Sequence, residues 1–152
     1  MTYDELLAEA DCIGLDVKEL PLKSGDGRIN GRRIAIRQDI PTTKRKADVL
    51  AEEIGHYRTG AGRIIELDTV AARKQEQKAR LEAYDKRVGL SGIIQGYRHR
   101  CQSRHELAEY LDVSEELLKD AIDCYHAKYG QCVELDSCVI LFDPVLAVIE
   151  KL

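Results

Sequence analysis

The sequence predicts a small α+β protein, and three observations support that fold class. Apolar residues recur at helical spacing in several separate segments. Other short runs alternate apolar and charged residues or are continuously apolar, as strands are, and glycines punctuate the boundaries. The 152 residues suffice for one domain with a sizeable core. With no tryptophan and a single phenylalanine, that core must rest on Leu, Ile, Val, Ala and Tyr. No repeat, low-complexity tract or linker interrupts the chain. One domain over residues 1–152 is therefore expected, with 1–90 as its principal part and 91–152 as a helical and hairpin extension.

In chain order, Leu6, Leu7, Ala10 and Ile13 predict a helix over about 3–13, ended by Gly14. Residues 17–22 read as a short strand interrupted by Pro21, followed by a glycine-studded turn region over 24–31. Arg33-Ile34-Ala35-Ile36-Arg37 alternates apolar and charged side chains, as a half-buried strand does, and the N-terminal strands are expected to pair antiparallel. Thr42 or Thr43 caps a helix over about 44–59, with Gly60 and Gly62 closing it. A second long helix is expected from about Thr69 to Val88. Helical segments continue through Tyr97, over 106–111 and over 114–129, where Gly130 stops the last. Residues 133–135 and 138–142 predict a hairpin turning at Asp136-Ser137, and a short tail helix is expected after Pro144.

The formal net charge of −4 argues against gross nucleic-acid binding. No stretch approaches the ~18–20 continuous apolar residues of a membrane span. The start, Met1-Thr2-Tyr3-Asp4-Glu5, lacks the basic and apolar pattern of a signal peptide, so a cytoplasmic protein is expected. The five cysteines are odd in number and include no Cys-x-x-Cys pair, which speaks against a disulfide scaffold or zinc ribbon. Reduced thiols acting as small core residues are expected instead.

The chemistry is concentrated on the 44–59 helix. Ala47, Leu50, Ala51 and Ile54 recur at the spacing of a buried stripe. At about 100° per residue, Val49, Glu52, Glu53 and His56 fall together on the opposite side. Glu52-Glu53-Ile54-Gly55-His56 keeps the spacing of the His-Glu-x-x-His helix of zinc peptidases. There the outer residues, four apart, point at one metal, and the second residue is the general base. Glu52 and His56 are thus candidate metal ligands and Glu53 the candidate catalytic base; a carboxylate in the first position is chemically permitted because carboxylates ligate zinc. A solvated helix face carrying two acids and a histidine would give the same residues.

The wider run Leu50-Ala51-Glu52-Glu53-Ile54-Gly55-His56-Tyr57-Arg58-Thr59-Gly60, preceded by a strand and a basic helix start, resembles the active-site helix of the ImmA/IrrE family of metallo-endopeptidases. In that family the helix commonly reads Ala-His-Glu-Leu-Gly-His. The small residue before the motif and the Gly-His pair match, whereas Glu52 stands where the first histidine would be. The resemblance covers residues 3–90 clearly and the remainder loosely. It implies a zincin-like fold with short strands packed on the active-site helix, and a third metal ligand from a glutamate on the next helix. Glu76-Gln77-Lys78-Ala79-Arg80-Leu81-Glu82-Ala83 matches the family's Glu-x-x-Ala-x-x-x-Ala setting for that glutamate.

From the residues alone, Glu76 has two readings. Ala72, Glu76, Ala79 and Ala83 share a face of small side chains that would let a neighbouring helix approach closely, with Val70, Leu81, Tyr84 and Val88 as a bulkier packing stripe. Alternatively, Glu76 lies in solvent and pairs with Arg73, Lys74 or Lys78. The resemblance implies the ligand reading. Two anionic ligands would neutralise a divalent ion and weaken its pull on water, so slower hydrolysis and competition from Mn²⁺ are expected relative to a site with two histidines.

Two other metal arrangements can be read from the chain. Glu53-x-x-His56 is also the repeated element of di-iron carboxylate bundles, for which only the imperfect Asp123-x-x-His126 could supply a second copy. His99, Cys101 and His105 lie in a basic run with Arg98, Arg100 and Arg104, at spacings that match no strong zinc signature; a solvated basic face is expected. Lys44-Arg45-Lys46 opens the 44–59 helix against its dipole, facing an acidic partner or water. Residues 105–118 have the cadence of a helix-turn-helix, with Leu107, Ala108, Leu111, Val113 and Leu118 as its core and Ser114 as a cap. Seven acids against two bases over 105–129 give a local charge of −5, the reverse of what a groove-reading helix needs. A structural or protein-docking role is expected, and DNA is not an expected partner.

By resemblance, the expected activity is metal-dependent cleavage, with zinc as the expected ion, of a helix-turn-helix repressor carried by a phage or other mobile element. The alternative on the same scaffold is an inactive antirepressor that binds the repressor and sequesters it. Strand 33–37 is expected to offer an edge on which an extended substrate segment pairs its backbone.

Overall fold

A computed structural model of the chain describes residues 1–60 and 69–152. Gly62, expected to help close the 44–59 helix, lies outside the described residues. The fold is α+β and divides into two compact units, Met1–Arg87 and Val88–Leu152.

In the first unit, α1 (Tyr3–Cys12) begins at a capping box: the Thr2 hydroxyl accepts from the Glu5 N–H, and the Glu5 carboxylate accepts from the Thr2 N–H. Three strands follow, β1 (Asp16–Leu20), β2 (Gly27–Asn30) and β3 (Arg33–Arg37), in the sheet order β1-β3-β2. Two expectations change here. The stretch read as a glycine-studded turn contains β2, which forms a hairpin with β3 and sets Ile29 opposite Ile34. The sheet is also mixed rather than antiparallel. Because β2 occupies one edge of β3, β1 takes the other, and it runs parallel with Val17 opposite Ile34. The alternation read in β3 is real: Ile34 and Ile36 are buried, and Arg33, Ala35 and Arg37 are not.

The helices α2 (Thr43–Thr59) and α3 (Val70–Arg87) complete this unit. The Thr42 hydroxyl accepts from the Arg45 N–H to start α2, and Gly60 ends it in the left-handed conformation. The basic start of α2 is compensated from the side, Lys46 meeting Glu19 at 2.5 Å and Arg45 meeting Asp26 at 3.3 Å. Since α1, β2, β3 and α3 all pack on α2, residues 47–51 and 53–55 are buried. The expected two-faced helix therefore fails at Val49 and Glu53, each only 7% exposed. β2 covers them: a Cβ built on Gly27 would lie 2.6 Å from Val49 Cγ1 and 2.8 Å from Glu53 Oε1.

The packing face of α3 is its small one. Ala79, Ala83 and Arg87 turn inward, whereas Val70, expected in a bulky packing stripe, is exposed. A Cβ on Gly55 would come within 2.4 Å of the Ala79 carbonyl oxygen, so the two helices meet backbone to backbone and only glycine fits. Bulk on that face would hold them apart. Leu6, Ile34, Ile36, Leu50, Ala51 and Ile54 form the centre of the core around this contact.

In the second unit, α4 (Leu90–Arg98), α5 (Arg104–Leu111) and α6 (Glu115–Tyr129) precede an antiparallel meander of β4 (Cys132–Leu135), β5 (Cys138–Leu141) and β6 (Ala147–Glu150). Ser103 and Ser114 cap α5 and α6, accepting from the N–H groups of Glu106 and Leu117. The expected hairpin forms, with Leu135 opposite Cys138 across the turn. The expected tail helix does not, because β6 takes its place. Residues 145–149 are too few for their apolar period to separate helix from strand. Pairing along β5 outweighs a helix of barely one turn. Ile93, Leu107, Leu118, Ile122, Tyr125, Ile140 and Phe142 are buried here. All five cysteines are free thiols, yet only Cys138 is buried; the expectation of core thiols holds for one of them. No helix among the described residues is long and apolar enough to cross a membrane.

Candidate metal centre

Glu52 and His56 stand one turn apart on α2, and Glu76 faces them from α3. The backbone contact at Gly55 and Ala79 makes this possible, since Glu76 lies three residues before Ala79 on the same small-residue face. The two carboxylate oxygens of Glu76 lie 3.1 and 3.2 Å from His56 Nε2. Glu52, His56 and Glu76, all half-buried, each offer a donor atom, and these atoms lie within 4.8 Å of one another. Glu76 is thus not a purely surface residue, although it also accepts from Arg80 Nε at 3.3 Å on its outer side.

Glu53 behaves differently from its neighbour. Its carboxylate is buried beneath β2, with Oε2 3.3 Å from His56 Nδ1. The two adjacent acids of α2 thus serve different atoms: Glu52 joins the cluster shared with Glu76, and Glu53 addresses the opposite nitrogen of the imidazole.

The electrostatics follow from this crowding. Burial pushes the Glu52 carboxyl above its ordinary range; His56 and Arg80 oppose that rise, and Glu53 and Glu76 add to it. The hydrogen bond to Glu53 is the main reason that the His56 imidazole is raised to about 9. Burial works against the rise, and the charges of Glu53 and Glu76 add to it. Three carboxylates around one imidazole are more negative charge than a single proton can balance.

A divalent cation suits that donor set. One imidazole nitrogen with two carboxylate oxygens is chemistry that zinc accepts. A tetrahedral zinc with bonds of ~2.1 Å sets its donors roughly 3.4 Å apart. The separation of His56 and Glu76 already approaches this, and Glu52 offers a donor atom within 4.8 Å of both. With Nδ1 held by Glu53, the imidazole turns Nε2 toward Glu76 and Glu52, the carboxylate–histidine arrangement that orients metal ligands.

The other arrangements read from the sequence do not assemble. His99 stacks on Tyr110 with ring centroids 4.6 Å apart, and His105 is hydrogen-bonded to Glu115, so neither joins Cys101 in a cluster. Asp123 pairs with Lys119 at 3.1 Å and belongs to no metal-holding group among the described residues. Strand β3, expected to offer a substrate edge, is the central strand and is paired on both sides; among the described residues the strand edge beside Glu53 belongs to β2. Sequence reasoning missed β2 and Gly27. The signal was available in Arg28-Ile29-Asn30, a polar–apolar–polar alternation hidden among turn-forming residues.

Compared with protein-family models, curated proteins and solved structures, the chain matches none of them.

Proposed function

We propose that this protein is a metal-dependent endopeptidase of the ImmA/IrrE type, directed at a helix-turn-helix repressor of a phage or mobile element. The observation that carries this reading is the convergence of Glu52, His56 and Glu76 donor atoms within 4.8 Å. These three side chains are the metal ligands, for zinc first and Mn²⁺ as the alternative. A divalent ion bound by them would supply Lewis-acid chemistry, polarising a scissile carbonyl and making a bound water more acidic. Glu53 is the general base: in the metal-free chain its carboxylate sits on Nδ1 and so holds Nε2 toward Glu76, and it would have to turn from that contact to take a proton from the ion's water. The free edge of β2, which crosses Glu53, suits backbone pairing with an extended substrate segment. A three-stranded sheet lying on a helix that bears the ligands agrees with a zincin-like arrangement. The α5–α6 pair, a helix-turn-helix-like unit with an acidic surface, serves structure or protein docking rather than DNA.

One observation favours a second reading, an inactive antirepressor that sequesters its target. Glu53 is already engaged by His56. Two anionic ligands also leave the cation less able to activate water. The test uses purified protein, zinc or Mn²⁺, and a panel of phage helix-turn-helix repressors, with cleavage followed by mass spectrometry. The proposal predicts cleavage by the wild type and a loss of about 100-fold or more in Glu53→Gln, with repressor binding retained. Binding without cleavage under either ion would establish sequestration; neither binding nor cleavage would end both readings.

A further inference from the structure

The second unit carries a groove that the metal chemistry does not use. One wall is α4 and α5, through Ile93, Tyr97, Arg104 and Leu107; the other is the run 144–148 that leads into β6. Between them lies a volume of about 310 Å³.

The strand beside this groove is unpartnered. Among the described residues β6 is an edge strand, bonded only to β5. The Lys151 N–H donates to the Ser137 carbonyl, and the register pairs Ile149 with Val139 and Ala147 with Leu141. An antiparallel ladder alternates, so the backbone groups of 147, 149 and 151 face β5, and those of Val148 and Glu150 face outward. The outward groups bond to no other segment among the described residues. Ala147 and Val148 point to opposite faces of the strand, yet both line the groove, which therefore follows the edge rather than one face.

The charge at the corner between α4 and α5 indicates what would fit. Arg104 lines the groove, and Arg100 lines two adjoining depressions that share Cys101 with it. Arg98 is taken by Glu150 at 3.3 Å, whereas Arg100 and Arg104 have no carboxylate partner among the described residues. The corner is firmly built: Gln102 N–H donates to the Glu106 carboxylate at 2.6 Å, and His99 stacks on Tyr110. Two guanidiniums without a carboxylate partner among the described residues, beside a strand edge and an apolar wall, match an extended segment bearing an acidic side chain. The acids of α5 and α6 would repel a polyanion such as nucleic acid while tolerating one or two carboxylates.

We propose that the β6 edge and the α4–α5 corner form a docking groove for an extended peptide segment of a partner protein. The segment adds as a fourth strand, with an Asp or Glu side chain against Arg100 and Arg104. This goes beyond the metal centre and stands whether or not that centre cleaves peptides.

The test selects phage-displayed random nonapeptides on the full chain, then measures a synthetic selected peptide by fluorescence polarisation, with oligothymidylate as a second probe. Selected peptides should alternate apolar residues and carry at least one Asp or Glu. Val148→Pro removes one outward N–H at an edge position where proline is tolerated, and should weaken binding about tenfold. Arg100→Ala with Arg104→Ala, both exposed-corner changes that leave the thermal transition in place, should weaken it similarly and abolish its salt dependence. The proposal is overturned if selection yields nothing above background, if the selected peptides lack acids, or if their affinity ignores both variants. Oligothymidylate binding at the same corner in place of peptide would overturn it too.

Discussion

Two of the charged constellations that join α2 to α3 are built to opposite specifications. At one, Asp48 and Arg87 are almost wholly buried, with Arg87 Nη2 and Nε 2.9 and 3.0 Å from Asp48 Oδ1. The same guanidinium donates to the carbonyls of Met1 and Lys44, so one charge meets one charge and the remaining donors fasten the chain start and the first turn of α2. At the other, a single imidazole faces Glu52, Glu53 and Glu76, and three of the four groups are half-open to solvent. A closed, matched pair holds a fold together. A surplus of carboxylates within reach of water is capacity for a cation.

Breaking the matched pair should have the largest effect. Arg87→Ala takes the guanidinium away from the buried Asp48 carboxylate and should cost roughly 3–5 kcal/mol in urea unfolding, with or without added metal. A cost below ~1 kcal/mol would mean that the pair does not bear on the fold. Next comes the contact that sets the distance between the helices. Gly55→Ala drives a methyl toward the Ala79 carbonyl and should cost about 1–3 kcal/mol. By moving Glu76 away from His56 it should also weaken metal binding, so intact affinity in a destabilised variant would separate the site from the packing.

The last effect is on pH dependence, and its sign is fixed by His56. Its imidazole is raised from an ordinary 6.5 to about 9, so folding favours the protonated form in the metal-free protein. That contribution is complete below about 6.5 and is lost as pH rises through about 9. Metal binding requires the neutral imidazole, so affinity should rise with pH across the same window and binding should release a proton. Unfolding in the presence of a chelator, compared between wild type and His56→Gln, should show the slope only in the wild type; equal slopes would assign it elsewhere.

Much of this was legible in the sequence because local chemistry decided it. The caps Thr42, Ser114 and Gly60, the alternation of β3 and the small face of α3 are short-range patterns, and each formed as its residues require. The ligand trio was read from spacing on α2 together with a resemblance that singled out Glu76; the coordinates bring those three groups together. What was not legible depends on long-range packing. Glu53 and Val49 are covered because β2 crosses α2, and β2 itself needs β3 to be recognisable. The tail after Pro144 becomes a strand only because β5 has a free edge to receive it. The parallel sense of β1 is likewise a long-range matter, since β1 meets β3 only after β2 and the chain between them.

The most direct measurement is a calorimetric titration of zinc into the metal-free protein, repeated on His56→Ala and Glu76→Gln. One ion per chain should bind the wild type, and each substitution should weaken it at least about tenfold while leaving the fold in place. Absence of binding, or binding that both variants retain unchanged, would contradict a cation site shared between α2 and α3.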